Sequence, residues 1–348
     1  MNKIEQLLDE QFVKELFKKE ILPMYPSFVD VKDVKIKPYK KLIWDDSFHV
    51  VFGFDTIFVS EEEKGSVERI LPIFCSGHSH ENRKNVYDSL RFLWKSGFDS
   101  GDLTIPRPLF FSEEFSSIFY RGVQGNTLYH YIRKNDFATI EKIVIKAAQW
   151  FSKLHSLPTD KAENFNPENS RIITVVPGRE YVLEAIGRHD ESYVPLYKEA
   201  YEFFISQEEA FLNSTKERWL VHGDAHPENI IRLSDEKIAV IDFTDLCLTD
   251  FARDIGCFLQ QVEYMANRKI EKPKYSLKLQ KLFLDNYFKN VKIKLDSGLK
   301  QRISNYYYWT ALRSATFLLI SSKSYPERTK GLLDDLGKNL GKLIPILR

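Results

Sequence analysis

The first 22 residues carry apolar side chains at helical spacing. Ile4, Leu7, Leu8, Phe12, Leu16 and Phe17 recur every three or four positions with Glu and Lys between them, which predicts an amphipathic helix over residues 4–22. Pro23 and Pro26 end it. From Val31 to Gly77 the pattern changes. Val34–Tyr39, Phe48–Phe54 and Thr56–Val59 are rich in β-branched and aromatic residues, with turn-like stretches at Trp44–Ser47 and Glu61–Gly65. A further strand is predicted at about Ile70–Cys75, giving an antiparallel meander. Val86, Leu90, Leu93 and Trp94 restore the helical period over residues 81–96, and two more short strands are predicted around Leu109–Phe110 and Ile118–Tyr120.

After Gly122 and Gly125 the pattern is mainly helical. One helix opens at Asn126, another covers residues 138–155, and the stretch 276–347 is nearly all helical. One exception interrupts this half. Trp219–Val221 leads into a polar loop, and Ile230–Arg232 and Ile238–Ile241 form a short hairpin around Ser234–Lys237. The pattern therefore predicts an α+β protein with two lobes, a small antiparallel β-sheet lobe followed by a larger, mainly helical one. The predicted divisions are an N-terminal helical extension over 1–30, a β-rich lobe over 31–122 and a helical lobe over 123–348.

Composition narrows the function classes. The 348 residues contain 50 Lys plus Arg against 49 Asp plus Glu, a balance that removes the broad electrostatic case for a nucleic-acid partner. No run approaches the roughly 18 consecutive apolar residues of a membrane span. The first residues resemble neither a secretory signal nor a transit peptide, so the expected location is the cytoplasm. With 26 Phe and 17 Tyr there is ample material for a large core. The three cysteines, Cys75, Cys247 and Cys257, are too few for a disulfide framework or a Cys-based zinc site, and Cys247 and Cys257 have no neighbouring base and read as buried structural thiols.

The chemistry concentrates in His222-Gly223-Asp224-Ala225-His226-Pro227-Glu228-Asn229, followed after the hairpin by Ile241-Asp242-Phe243. Apolar segments deliver three polar residues, Asp224, Asn229 and Asp242, to one end of a hairpin. Core building needs none of them, and polar groups placed there are costly unless they are paired or bind a cation. An Asp and an Asn five positions apart, then an Asp at a strand end, is the spacing of a phosphoryl-transfer site. In such a site one Asp orients and deprotonates the attacking hydroxyl, while the Asn and the other Asp hold magnesium. His222 and His226 also form a His-x-Asp-x-His pattern that could seed a transition-metal site, but the other six histidines supply no second cluster in sequence.

On these residues the sequence resembles the aminoglycoside phosphotransferase and choline kinase family of small-molecule kinases, which has the protein-kinase-like fold. Val221–Ile231 and Val240–Phe243 fit the family's His-Gly-Asp loop and Ile-Asp-Phe segment. Asp250 and Asp254 fit its downstream acids, whereas the family's Gly and Pro there are absent. Leu154-His155-Ser156-Leu157-Pro158, Pro106–Leu109 and Val123–Leu128 resemble its helix end, strand and hinge. The resemblance covers about residues 30–260 and is strongest over 219–256.

The resemblance implies transfer of the γ-phosphate of ATP, or GTP, to a hydroxyl of a small molecule, with no nucleic-acid or membrane partner. Asp224 would be the catalytic base, and Asn229 and Asp242 the Mg2+ ligands. Tyr120, Gly122 and Val123 would border the adenine. His222 would brace the loop backbone, and Asp250 and Asp254 would brace the loop and the helix after it. Two departures stand out. The third strand lacks the family's phosphate-pairing Lys: Pro72 takes that region, Arg69 is the nearest substitute and Glu81 the nearest equivalent of its acidic partner. The stretch Lys40–Ser47, where the phosphate loop should lie, has no glycine. Both features point to a second reading, a catalytically degenerate kinase-like nucleotide- or ligand-binding protein.

The acceptor is left open. A cationic one would need an acidic pocket, for which Glu184, Asp190, Glu191 and Glu263 are the candidates in the helical lobe. A sugar or another metabolite fits the sequence equally. Tyr306–Trp309 reads as packing, or as part of the acceptor pocket. His78 and His80 read as a solvated loop, or as phosphate contacts in place of the missing Lys.

Overall fold

A computed structural model describes residues 2–63, 65–81, 83–160, 162–320 and 325–348. Lys64, in the expected turn at Glu61–Gly65, and Ser321–Ser324, inside the stretch expected to be helical, lie outside the described residues. The chain divides into two compact units, Met1–Gln124 with Ala239–Thr244, and Gly125–Ile238 with Asp245–Arg348.

Unit 1 is an antiparallel sheet backed by helix. Strands β1 (Asp30–Ile43), β2 (Phe48–Glu62), β3 (Gly65–His78), β5 (Arg107–Ser112) and β6 (Ser117–Arg121) pair in the order β1-β2-β3-β6-β5, with the two-residue β4 (Leu103–Thr104) lying outside this sheet. Phe48–Phe54 and Thr56–Val59 are parts of one 15-residue strand. Alternation along it buries Val50, Phe52, Phe54 and Phe58. The N-terminal helical pattern is split in two. Residues Lys3–Leu8 form a 3-10 turn, and α1 runs from Glu10 to Glu20. Asp9 causes the break: its Oδ1 accepts the N–H groups of Gln11 at 2.9 Å and Phe12 at 3.0 Å and so caps a new helix. Ile4, Leu7, Val13, Phe17 and Ile21 are buried in the same cluster as the sheet's Phe52, Phe54, Phe58 and Phe119, and Phe17 meets Phe54 edge-on at 5.2 Å. Helix α2 spans Arg83–Leu93.

Unit 2 is helical around a few short strands. In order it contains β7 (Asn126–Thr127), α3 (Leu128–Lys134), α4 (Phe137–His155), α5 (Arg179–His189), α6 (Val194–Ser214), β8 (Trp219–Val221), β9 (Ile230–Arg232), β10 (Ile238–Val240, which the chain follows out of the unit), β11 (Cys247–Thr249), α7 (Ala252–Asn267), α8 (Tyr275–Asn290), α9 (Ser297–Ile320) and α10 (Pro326–Asn339). β8 pairs antiparallel with β11, and β7 with β9. Buried on nearly every face, α7 and α9 form the centre of the unit. Gly256 makes their approach close. A Cβ at that position would lie 2.7 Å from both the Ile303 carbonyl oxygen and the Tyr307 nitrogen. No helix among the described residues is long and apolar enough to cross a membrane.

Candidate active site

The loop that carries Asp224 is held by its backbone. After β8 the N–H groups of His222 and Gly223 donate to the two carboxylate oxygens of Asp254, at 2.7 and 2.9 Å. His155, at the end of α4, lies between that carboxylate (Nε2, 3.0 Å) and the Tyr287 hydroxyl on α8 (Nδ1, 2.8 Å). Burial opposes the ionisation of Asp254. The hydrogen bond and charge of His155, the charge of His222 and the Gly223 N–H outweigh it and hold the carboxyl below its usual range. Gly223 is left-handed, with φ +84°, and a Cβ there would sit 2.5 Å from the Asp245 carbonyl oxygen, so only glycine lets the loop turn at this point.

The turn delivers Asp224. Its Oδ2 lies 3.1 Å from His226 Nε2 and accepts the Asn229 amide at 3.2 Å, and the same amide nitrogen donates to the Asp224 carbonyl oxygen at 3.0 Å. His226 Nδ1 in turn accepts the Glu228 N–H at 3.1 Å. An imidazole that accepts at Nδ1 carries its proton on Nε2, so His226 donates to Asp224. Solvent reaches 41% of the Asp224 side-chain surface, and protein surrounds the rest. Burial opposes its ionisation. The hydrogen bond from His226, then neighbouring positive charge, that of Arg313 included, prevails and holds the carboxyl well below the usual carboxylate range. Asn229 is 6% exposed, on a short 3-10 turn opened by Pro227. Asp224 and Asn229 are thus brought together, and His226 is the partner whose part sequence reasoning missed. Its signal was the two-residue spacing from Asp224, read there as metal-ligand spacing.

Asp242 belongs to unit 1. Its backbone is left-handed, φ +64°, an uncommon state for a non-glycine residue and one that clusters at functional sites. The Thr244 hydroxyl donates to its Oδ1 at 2.8 Å. Arg83 donates to that hydroxyl at 3.2 Å and reaches Glu81 at 2.7 Å. The Arg83 side chain is 8% exposed, and its Nε is buried with no hydrogen-bond partner. Tyr120 stacks on Phe74 at 5.8 Å, and burial, then the charge of Asp242, pushes its hydroxyl pKa up. Glu81, Tyr120 and Asp242 therefore share one neighbourhood of unit 1, with Arg83 at its centre. Nothing in the sequence marked Arg83, because a single Arg at a helix start carries no periodic signal.

Arg69 stands elsewhere, on β3 opposite Phe58, exposed and paired with Glu62 at 3.0 Å. The Gly122 N–H donates to the Pro72 carbonyl at 2.8 Å, and Val123 follows in irregular chain before β7. His78 lies 4.6 Å from His49, ring to ring, and 3.5 Å from Glu81. The turn between β1 and β2 is closed by a Trp44 N–H to Ser47 carbonyl bond of 2.8 Å.

Within unit 2 a cavity of about 320 Å³ opens beside Gly223 and Asp224, walled by α7 and α9. The Tyr306–Trp309 run divides here. Trp309 lines the cavity, whereas Tyr306 donates to the buried Glu208 at 3.0 Å. None of the four acidic candidates lines the cavity. Glu184 pairs with Arg188 at 2.7 Å, Asp190 caps the turn at Ser192, Glu191 is exposed, and Glu263 accepts from Gln280 at 2.6 Å. Among the described residues no three His, Cys, Asp or Glu side chains cluster as metal ligands.

Known structures share the fold. The fold matches choline kinase LicA from Streptococcus pneumoniae with a TM-score of 0.55 at 13% identity, over 94% of this chain and 97% of that one. It matches the ethanolamine kinase of Plasmodium vivax with a TM-score of 0.53 at 12% identity, over 90% of this chain and 83% of that one. It also matches the streptomycin–ATP ternary complex of APH(2")-IIa with a TM-score of 0.53 at 13% identity, over 94% and 96% of the two chains. A search of curated protein sequences finds no match. The family profile is decisive: it spans residues 49–276, from the second strand of the sheet through the Asp224 loop to the start of α8, and on that match the chain belongs to the phosphotransferase enzyme family.

Proposed function

We propose that the protein transfers the γ-phosphoryl group of a nucleoside triphosphate, ATP or GTP, to a hydroxyl group of a small molecule, with Asp224 as the base. The observation that carries this reading is the setting of Asp224. Its carboxylate is held between the His226 imidazole and the Asn229 amide and opens onto a cavity. An ionised carboxylate fixed by two donors orients an incoming hydroxyl and accepts its proton. The low pKa suits late proton transfer, since phosphoryl transfer passes through a loose transition state in which the attacking oxygen has bonded little.

The residues fit magnesium. Asp242 offers a carboxylate. Asn229 turns its NH2 group on Asp224, which leaves the amide oxygen as its donor to a cation, and hard oxygen donors are what Mg2+ takes. When bound, the ion would neutralise charge on the phosphates. Tyr120 and Val123 would border the base of the nucleotide, the Gly122 N–H being engaged by Pro72. Arg83, held by Glu81 beside Asp242, is better placed than Arg69 to meet phosphate oxygens. A second reading, ligand binding without turnover, draws on the absence of a lysine from β3, which carries Pro72 in mid-strand.

The test is nucleotide-dependent phosphorylation of a panel of small alcohols, followed in wild type, Asp224→Asn and Asp242→Asn. Loss of turnover by about 10²–10⁴-fold in Asp224→Asn, with an unchanged unfolding midpoint, supports the assignment. Full activity in that variant refutes it. Nucleotide binding with no transfer to any acceptor favours the second reading.

A further inference from the structure

The cavity beside Asp224 has the wrong charge for a cationic acceptor. Its wall includes three arginines, Arg253, Arg268 and Arg313, and among its lining residues Asp224 is the one carboxylate. The guanidiniums are not all accounted for by protein partners. Arg253 is 3% exposed; the charges of Glu208 and Asp245 face it, and it donates to the Asn169 carbonyl, yet its Nη2 is buried with no hydrogen-bond partner. The Tyr264 hydroxyl, also on the cavity wall, is buried and unpartnered in the same way. Arg268 stacks on the Tyr264 ring at 5.0 Å, and no carboxylate pairs with it among the described residues. Arg313 is half-buried and likewise has no ion pair among them. Even with Arg253 assigned wholly to Glu208 and Asp245, two cations face a single carboxylate that His226 already engages.

We propose that the acceptor bound at Asp224 is an anion, a hydroxyl compound bearing a carboxylate or phosphate group that Arg313 and Arg268 hold. This rests on the reading of Asp224 as the reacting centre. A guanidinium offers a planar pair of donors that matches two oxygens of a carboxylate or phosphate. Trp309 and Phe317 give the cavity apolar surface for a carbon skeleton, and about 320 Å³ suits a small metabolite. An amine or polycationic sugar would meet two unpaired cations there, so repulsion excludes it.

The experiment titrates the full chain, without nucleotide, with four probes on one carbon frame: gluconate, glucose 6-phosphate, glucose and glucosamine. Binding is read by calorimetry or ligand-detected NMR in wild type, R313Q, R313K and R268Q, each checked for its unfolding midpoint. Gluconate or glucose 6-phosphate should bind at least about tenfold more tightly than glucose, glucosamine should not bind, and added salt should weaken the preference. R313Q should remove most of it and R313K restore part. Which anion binds better separates carboxylate from phosphate. Preference for glucosamine, equal binding of all four, no binding of either anion at millimolar concentration, or an anion preference that survives both R313Q and R268Q overturns the proposal. The two readings fail separately. Anion binding with no nucleoside diphosphate formed from ATP or GTP and magnesium, for any acceptor of the panel, sinks phosphoryl transfer and leaves the anion site standing. Phosphorylation of glucosamine does the reverse.

Discussion

His226 Nε2 lies 3.1 Å from Asp224 Oδ2, and the Glu228 N–H on its other ring nitrogen fixes which end carries the proton. The histidine is therefore an oriented donor that keeps the Asp224 carboxyl ionised. Its removal makes the Asp224 carboxyl a weaker acid. In His226→Ala the Asp224 pKa should rise toward the ordinary carboxylate range. Activity that needs the ionised form is lost as pH falls through that pKa, so the acidic limb of the kcat profile should move to higher pH. A pH–rate series on wild type and variant checks this, and superimposable acidic limbs would deny His226 the role.

Asp254 holds the loop from beneath. It is 0% exposed and accepts two backbone N–H groups and His155. Asp254→Asn replaces charge-assisted bonds by neutral ones in a buried setting and should cost about 2–4 kcal/mol in urea unfolding, with kcat lowered as well. Because its carboxyl is held below the usual range, this contribution is present in full above the unfolded-state pKa of about 4. It is lost as pH falls further, through the depressed native value. Stability measured between neutral and acid pH should therefore fall more gently in the variant than in wild type.

Arg83 joins Glu81 to Thr244, whose hydroxyl donates to Asp242. Arg83→Met should raise the nucleotide KM about 10- to 100-fold, the range expected for loss of a charge-assisted hydrogen bond. Arg69→Met, which breaks an exposed pair with Glu62, should change it little. Steady-state kinetics against nucleotide on the two variants separate the two arginines.

Burial pushes the Cys75, Cys247 and Cys257 thiols up to about 12. All three are buried and free. A thiol reagent at pH 8 should find almost no thiolate in the native protein and should label all three only on unfolding. Rapid native labelling of Cys257, at the cavity wall, would show that this wall opens.

Much of the architecture was legible one segment at a time. Alternation along β2 and three- to four-residue spacing along α4 are local consequences of which side chains face a core, so they survive in a single sequence. The break at Asp9 was not legible. A capping carboxylate inside an apolar period leaves that period intact while ending one helix and starting the next. The Asp224 loop was legible for another reason. His222-Gly223-Asp224 and Asn229 lie within eight residues, and Gly223 has to be glycine because its φ is positive.

What depends on distant segments could not be read in this way. The partners of Asp254 come from residues 155, 222 and 223, and Arg83 meets Thr244 across 161 positions. No spacing encodes such meetings, because they arise only when helices and strands pack. The same holds for the cavity's charge. Glu184, Asp190, Glu191 and Glu263 made an acidic pocket plausible by number, but the chain turns Arg253, Arg268 and Arg313 onto the wall instead. Composition counts charges over the whole chain, whereas a ligand meets only those that α7 and α9 turn toward one space. The loop chemistry was thus written locally in a few contiguous residues, and the sign of the surface facing Asp224 was settled by the packing of two helices about 50 residues apart.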